Sequence, residues 1–308
     1  MANVISTDRL TKFYGEKRAV DALSLNVPEG SVYALLGRNG AGKSTTIRML
    51  TGIVQPDFGS ATIFGEDVSS LSPETKARVA WAAEGHPLYR WMRVGQMARF
   101  ASAFHSNWNE DLVRQILDHF EIPLKKRIFQ LSYGQRAQVS LALAVAPDPK
   151  LLILDDPTLG LDTVVRRDFL ESMIQIIQRD GRTILFSSHI LSDVDRVADR
   201  IGILVDGVLR ADCPIDHFRD AIRKVVVEFD DPPKALPDCR GLVSTRIVGT
   251  RIELAFVDFG DEQRSALEKI GAKSIEVLDL NLEDAFVEYT RGRKGTLPLF
   301  NREVAHVG

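Results

Sequence analysis

Cysteine is nearly absent: Cys213 and Cys239 are the only two in 308 residues, with no C-x-x-C spacing and no histidine pair beside either. A disulfide framework and a structural zinc site are therefore unsupported, and a reducing compartment is the default. Long apolar runs are missing as well, since no stretch approaches the roughly 18 residues that a membrane helix needs. Residues 1–11 carry Asp8 and Arg9 where a signal peptide requires an apolar centre, so the chain is expected to stay in the cytoplasm. Nor is there an excess of one charge: 39 basic against 42 acidic residues leave a formal −3. That balance gives no global reason to expect nucleic acid or an anionic bilayer as partner. Internal repeats and low-complexity tracts are also lacking. What remains is 44% hydrophobic and 26% charged, a folded soluble composition. The length suits about two domains.

Within residues 1–31, Leu23 to Val27 alternate apolar and polar and reach a turn at Pro28-Glu29-Gly30, the pattern of antiparallel strands and a hairpin. Three uninterrupted apolar runs follow, at residues 32–36, 151–154 and 183–186. Runs of that length bounded by turn residues fit buried parallel strands, and the helical patterns between them indicate an α/β sheet. The stretch from about 87 to 149 is different, with helical spacing over 94–104 and 110–120, and reads as a helical insert. After Asp212, strand-like segments at 225–229, 242–248 and 251–257 precede a helical pattern over 261–270, which predicts a small α+β domain. The expected division is 1–220, 221–290, and a loosely held basic tail over 291–308.

Gly37-Arg38-Asn39-Gly40-Ala41-Gly42-Lys43-Ser44 matches G-x-x-x-x-G-K-[ST], and Thr45 leads into a helical pattern. Glycines let the backbone wrap phosphate oxygens, amide N–H groups supply fixed dipoles, Lys43 reaches the β and γ phosphates, and the Ser44 hydroxyl suits Mg²⁺. A hard cation needs a second oxygen ligand, and the run at 151–154 ends in Asp155, with Asp156 beside it as the candidate for orienting a water.

Leu131-Ser132-Tyr133-Gly134-Gln135-Arg136 lies just upstream, Gln135 being 20 residues before Asp155. This string resembles the signature motif of ATP-binding cassette (ABC) transporter ATPases. Tyr14, Gly160-Leu161-Asp162 and His189 stand where that family carries an adenine-stacking aromatic, a dimer loop and a switch histidine. The resemblance covers residues 4–215. It implies a P-loop NTPase fold of ABC type: a parallel core sheet, an antiparallel β subdomain and a helical subdomain, here with the α+β extension. It also implies ATP and Mg²⁺ as ligands, with His189 reaching the γ-phosphate. Ser132, Tyr133, Gly134 and Gln135 would meet ATP on an opposite chain, because one chain holds one P-loop and one signature; a homodimer sandwiching two ATP molecules follows.

Three residues depart from the family pattern. Tyr133 stands where glycine is usual, Asp156 where glutamate is usual, and Glu84 where a glutamine is typical. Glu84 can still ligate Mg²⁺ but adds negative charge beside the phosphates. The Tyr133 ring is expected to lie outward, and the shorter Asp156 to slow hydrolysis. The resemblance implies a transporter ATPase, an exporter by its C-terminal extension, working on the cytoplasmic face of the membrane. The lack of a membrane segment demands a separate permease, and the stretch Glu84 to Val94, with Tyr89, Trp91 and Met92 among basic residues, resembles the region that meets it, the other reading being core packing of the insert. Two other functions compete: a soluble ABC-type switch, which usually carries tandem cassettes or long coiled coils, and a P-loop kinase, which carries no signature motif.

Overall fold

The computed structural model describes residues 2–291 apart from 179, 180, 232, 234, 235 and 238. The tail expected to be loosely held lies outside the described residues. Two compact units divide between Leu209 and Arg210.

In the first unit, the strands Arg200–Val205, Val32–Leu36, Thr183–Ser188, Leu151–Leu154 and Val79–Ala82 lie side by side in that order, every pair parallel. Both faces of Val32–Leu36 are covered and all five of its residues are buried, which is why it reads as a continuous apolar run. Strand order decides where the chemistry goes. Thr183–Ser188 sits between Val32–Leu36 and Leu151–Leu154, so the three C-terminal strand ends leading to the P-loop, the acidic pair and His189 are neighbours. Ligand sites of open α/β sheets form at such carboxyl ends.

A second, antiparallel sheet places Asn3–Tyr14 between Lys17–Leu23 and Phe58–Ile63, with Asn26–Pro28 also on Asn3–Tyr14. Besides the expected turn at 28–30, the chain reverses at Gly15, which takes a left-handed φ of 60°. Tyr14 therefore stands at a hairpin tip. Val4, Ile5, Leu10 and Val20 of this sheet share one core with Tyr33, Leu35, Ile47 and Leu50.

The insert folds as Val94–Ser102, Glu110–His119 and Tyr133–Val145. Glu110–His119 is amphipathic, burying Val113, Ile116 and Leu117 at helical spacing, and Asn109 caps it through the Leu112 amide at 2.9 Å. The third helix begins at Tyr133, ahead of its apolar stretch from Val139. Ser132 and Gln135 form a capping box there, a signal that outweighs the polar start of the segment.

The second unit holds four antiparallel strands in the order Leu242–Val248, Arg251–Val257, Ile222–Glu228, Ser274–Asp279. Val225, Val227, Ile252, Leu254, Phe256 and Leu267 make its core. The strand Ser274–Asp279 and the helix Leu282–Arg291 had no counterpart in the sequence reading. The division falls before residue 220 because the helix Ile215–Ala221 packs against Leu282–Arg291 and Ile222–Glu228.

Candidate nucleotide site

The helix Lys43–Leu50 begins without a side-chain cap, so its first amides are left for a ligand. Gly42 precedes it with φ 109°, and a Cβ there would lie 2.5 Å from the Ala19 carbonyl oxygen. No other residue fits that approach. The loop and helix border a cleft of about 340 Å³ that Tyr14, Asn39, Gly40, Lys43 and Thr45 also line, together with Glu84 and Asp156.

Lys43 is buried, its Nζ donating to the Gly37 carbonyl at 2.9 Å and standing 3.9 Å from Asp156 Oδ2. Ser44 Oγ donates to Asp155 Oδ1 at 3.0 Å, and Ser187 Oγ donates to the same oxygen at 2.8 Å. Ser187 Oγ also accepts from the Asp156 amide at 2.8 Å, so one hydroxyl fixes both members of the acidic pair. Asp156 holds a left-handed φ of 42°, a conformation that costs of order 1 kcal/mol for a non-glycine residue. His189 Nδ1 lies 3.1 Å from Asp156 Oδ1. P-loop lysine, acidic pair and histidine thus form one connected cluster.

The remaining predicted residues lie apart from it. Arg38, Asn39 and Gly40 are exposed at the loop crest, while Gly37 and Ala41 are buried beneath it. Ser132, Gly134 and Gln135 do not line the cleft. Ser132 Oγ accepts the Gln135 amide at 3.1 Å. Asp162 is exposed and caps the helix Thr163–Gln178, accepting from the Val164 and Val165 amides at 3.1 and 3.0 Å.

The description of the ABC transporter family matches residues 20–159. The bacitracin transport ATP-binding protein BcrA of Bacillus licheniformis is 33% identical over 239 residues, spanning 77% of this chain and 78% of that protein. The Nod factor export ATP-binding protein I of Sinorhizobium fredii is 30% identical over 306 residues, spanning 93% of this chain and 85% of that one. A solved ATP-binding subunit of an ABC transporter superposes with a TM-score of 0.63 at 29% identity, over 70% of this chain and 92% of that one. This chain belongs to the ABC transporter ATP-binding family. It is an ATP-binding cassette, and among its described residues no helix is long and apolar enough to cross a membrane.

Several residues of the cassette escaped the sequence reading. Ser187 hides at the end of an apolar strand, and only the pair Ser187-Ser188 before His189 hinted at a polar task. Thr158 Oγ1 donates to Asp193 Oδ2 at 3.0 Å, and Arg166 Nε lies 3.2 Å from Asp193 Oδ1, tying the segment after the acidic pair to the one after His189. Burial pushes the Asp193 carboxyl above its usual range, against those two donors. Lys17, Ala19 and Leu159 line the cleft without belonging to any motif.

One expectation is overturned. The Tyr133 ring does not lie outward: it turns back onto its own chain, 5.3 Å from the His86 ring centroid and against Gly160. Burial raises its hydroxyl above the usual tyrosine range, and the Glu84 and Asp156 carboxylates add to that. His86 is itself buried, which holds its imidazole down at about 4 and keeps it neutral at pH 7.

Proposed function

We propose that the cassette hydrolyses ATP to power an exporter, closing against a second copy of itself beneath a separate permease. The observation that carries this reading is the union, in one cluster, of Lys43, Ser44, the acidic pair and His189, with the signature segment outside the cleft and free to meet another chain's ATP. Tyr14, half exposed at the cleft's rim, offers a flat face for adenine. Lys43 and the uncapped amides of Lys43–Leu50 hold the β and γ phosphates.

Ser44 and Glu84 offer hard oxygens to the cleft, and the buried Asp155, whose Oδ1 accepts from Ser44, stands beside the first of them, a donor set that suits Mg²⁺. Such an ion would neutralise charge on the phosphates. In the reaction, a water oxygen attacks the γ-phosphorus as the bond to the bridging oxygen breaks, and ADP leaves with that electron pair. Asp156 orients the water and draws on its proton, while His189 holds the carboxylate in place. The signature amides of the opposite chain complete the charge stabilisation.

Export is favoured by the likeness to the Nod factor export protein over most of both chains. The permease would dock on the helical insert, where Trp91, Tyr89, Phe100 and Phe104 stand in a row with centroid separations of 6.3, 5.4 and 5.1 Å. All four are exposed, and four adjacent exposed aromatics mark an interaction surface. The test is affinity capture of the tagged chain from detergent-solubilised membranes of its own cells. A polytopic membrane protein should be retained by the native chain and lost with Trp91→Ala. Retention on ribosomes in place of membranes would overturn the reading.

A further inference from the structure

Three loops of the first unit meet on a single ring. Gly160 takes φ +74°, and a Cβ built on it would lie 3.2 Å from Tyr133 Cε1 and 3.4 Å from Cδ1, so the ring rests on bare backbone. On the ring's other contacts, His86 approaches edge-on at 63° and the Arg136 guanidinium stands 5.4 Å from the centroid. Beside it, a Cβ on Gly134 would lie 2.8 Å from Val165 Cγ1, which shows how closely the signature helix abuts the start of Thr163–Gln178.

The positions of these contacts in the chain give them meaning. His86 lies two residues after Glu84, Gly160 two before Asp162, and Tyr133 opens the signature helix. His86 is 4% exposed, and neither ring nitrogen has a hydrogen-bond partner among the described residues, so packing alone holds it. The tyrosine ring is part of that packing. Removing the ring takes away the contact that joins the Glu84 loop and the segment before Asp162 at the start of the signature helix, while that helix keeps its capping box and its seat against Thr163–Gln178.

We infer that Tyr133 is a positioning residue that locks the loops of a chain's own ATP cleft to the signature segment serving the opposite one. This rests on the two-chain reading above. A bond between the two halves of the machinery through one ring makes occupancy of one cleft felt at the other, and the coupling should show in association and cooperativity rather than in binding of ATP to a single chain.

The experiment compares Tyr133→Phe, Tyr133→Leu and Tyr133→Gly. Each is followed by Mg-ATP calorimetry on the single chain, by sedimentation in an Asp156→Asn background with ATP, and by the Hill coefficient of phosphate release. Leucine and glycine should weaken ATP-driven association by about tenfold and lower the Hill coefficient, with single-chain affinity within about twofold. Phenylalanine, which keeps the ring, should restore both. Native association and cooperativity in both Tyr133→Leu and Tyr133→Gly would overturn the inference, as would an equal loss in Tyr133→Phe. Absence of ATP-driven association in Asp156→Asn alone would overturn the two-chain reading itself and this inference with it.

Discussion

Lys43 is a buried cation whose partners are a carbonyl and a carboxylate at 3.9 Å, so its remaining capacity points into the cleft. Replacing it with alanine removes a charge-assisted contact worth roughly 1.5–3 kcal/mol. Calorimetry of Lys43→Ala with Mg-ATP should show affinity falling by tenfold or more, on the order of that energy; an unchanged dissociation constant would refute the cradle. Asp156 is short by one methylene relative to glutamate, and a misplacement of about 1 Å can cost on the order of 10²-fold. Its left-handed backbone does not lengthen the side chain. Steady-state phosphate release should therefore be slow, faster in Asp156→Glu and slower still in Asp156→Asn. Equal rates for Asp156→Asn and the native chain would remove Asp156 from the role and pass it to His189 or Glu84.

At the level of elements, the row of aromatics on the helical insert is the feature that costs the isolated chain least to change. Trp91 is 66% exposed, and surface truncations away from special features stay within about 0.5 kcal/mol, so the melting temperature of Trp91→Ala should hardly move. Phe169→Ala in the first unit is the control: that ring is 1% exposed, and its loss costs roughly 3–5 kcal/mol. A melt of Trp91→Ala as depressed as that of Phe169→Ala would make the row part of the core. Elements also explain what the sequence could reveal. The P-loop, the acidic pair and the signature are contiguous strings, so they were legible before any fold was known. Ser187, Thr158 with Asp193, and the inward turn of Tyr133 were not, because each depends on which segments become neighbours. Ser274–Asp279 escaped for a different reason: as an edge strand it is mostly exposed and lacks the apolar alternation that betrays a half-buried one.

Two chains, each with one P-loop and one signature, make the whole-molecule prediction. ATP should drive Asp156→Asn into a dimer in sedimentation and ADP should not, since the signature is proposed to read the γ-phosphate; equal monomer fractions with the two nucleotides would sink the sandwich. At this scale the sequence suggested two units but not the join between them, because the helix Ile215–Ala221 packs on Leu282–Arg291, far along the chain, as well as on the strand that follows it. The pairing of Lys43 with Asp156 carries one more consequence. The cleft comes with its own anion, and an arriving phosphate competes with that carboxylate for the same ammonium group. ATP binding is in this sense an ion exchange, and neutralising the resident ion should favour the newcomer. Asp156→Asn, the variant that hydrolyses least, should hold ATP more tightly than the native chain does, which calorimetry on the two proteins would reveal.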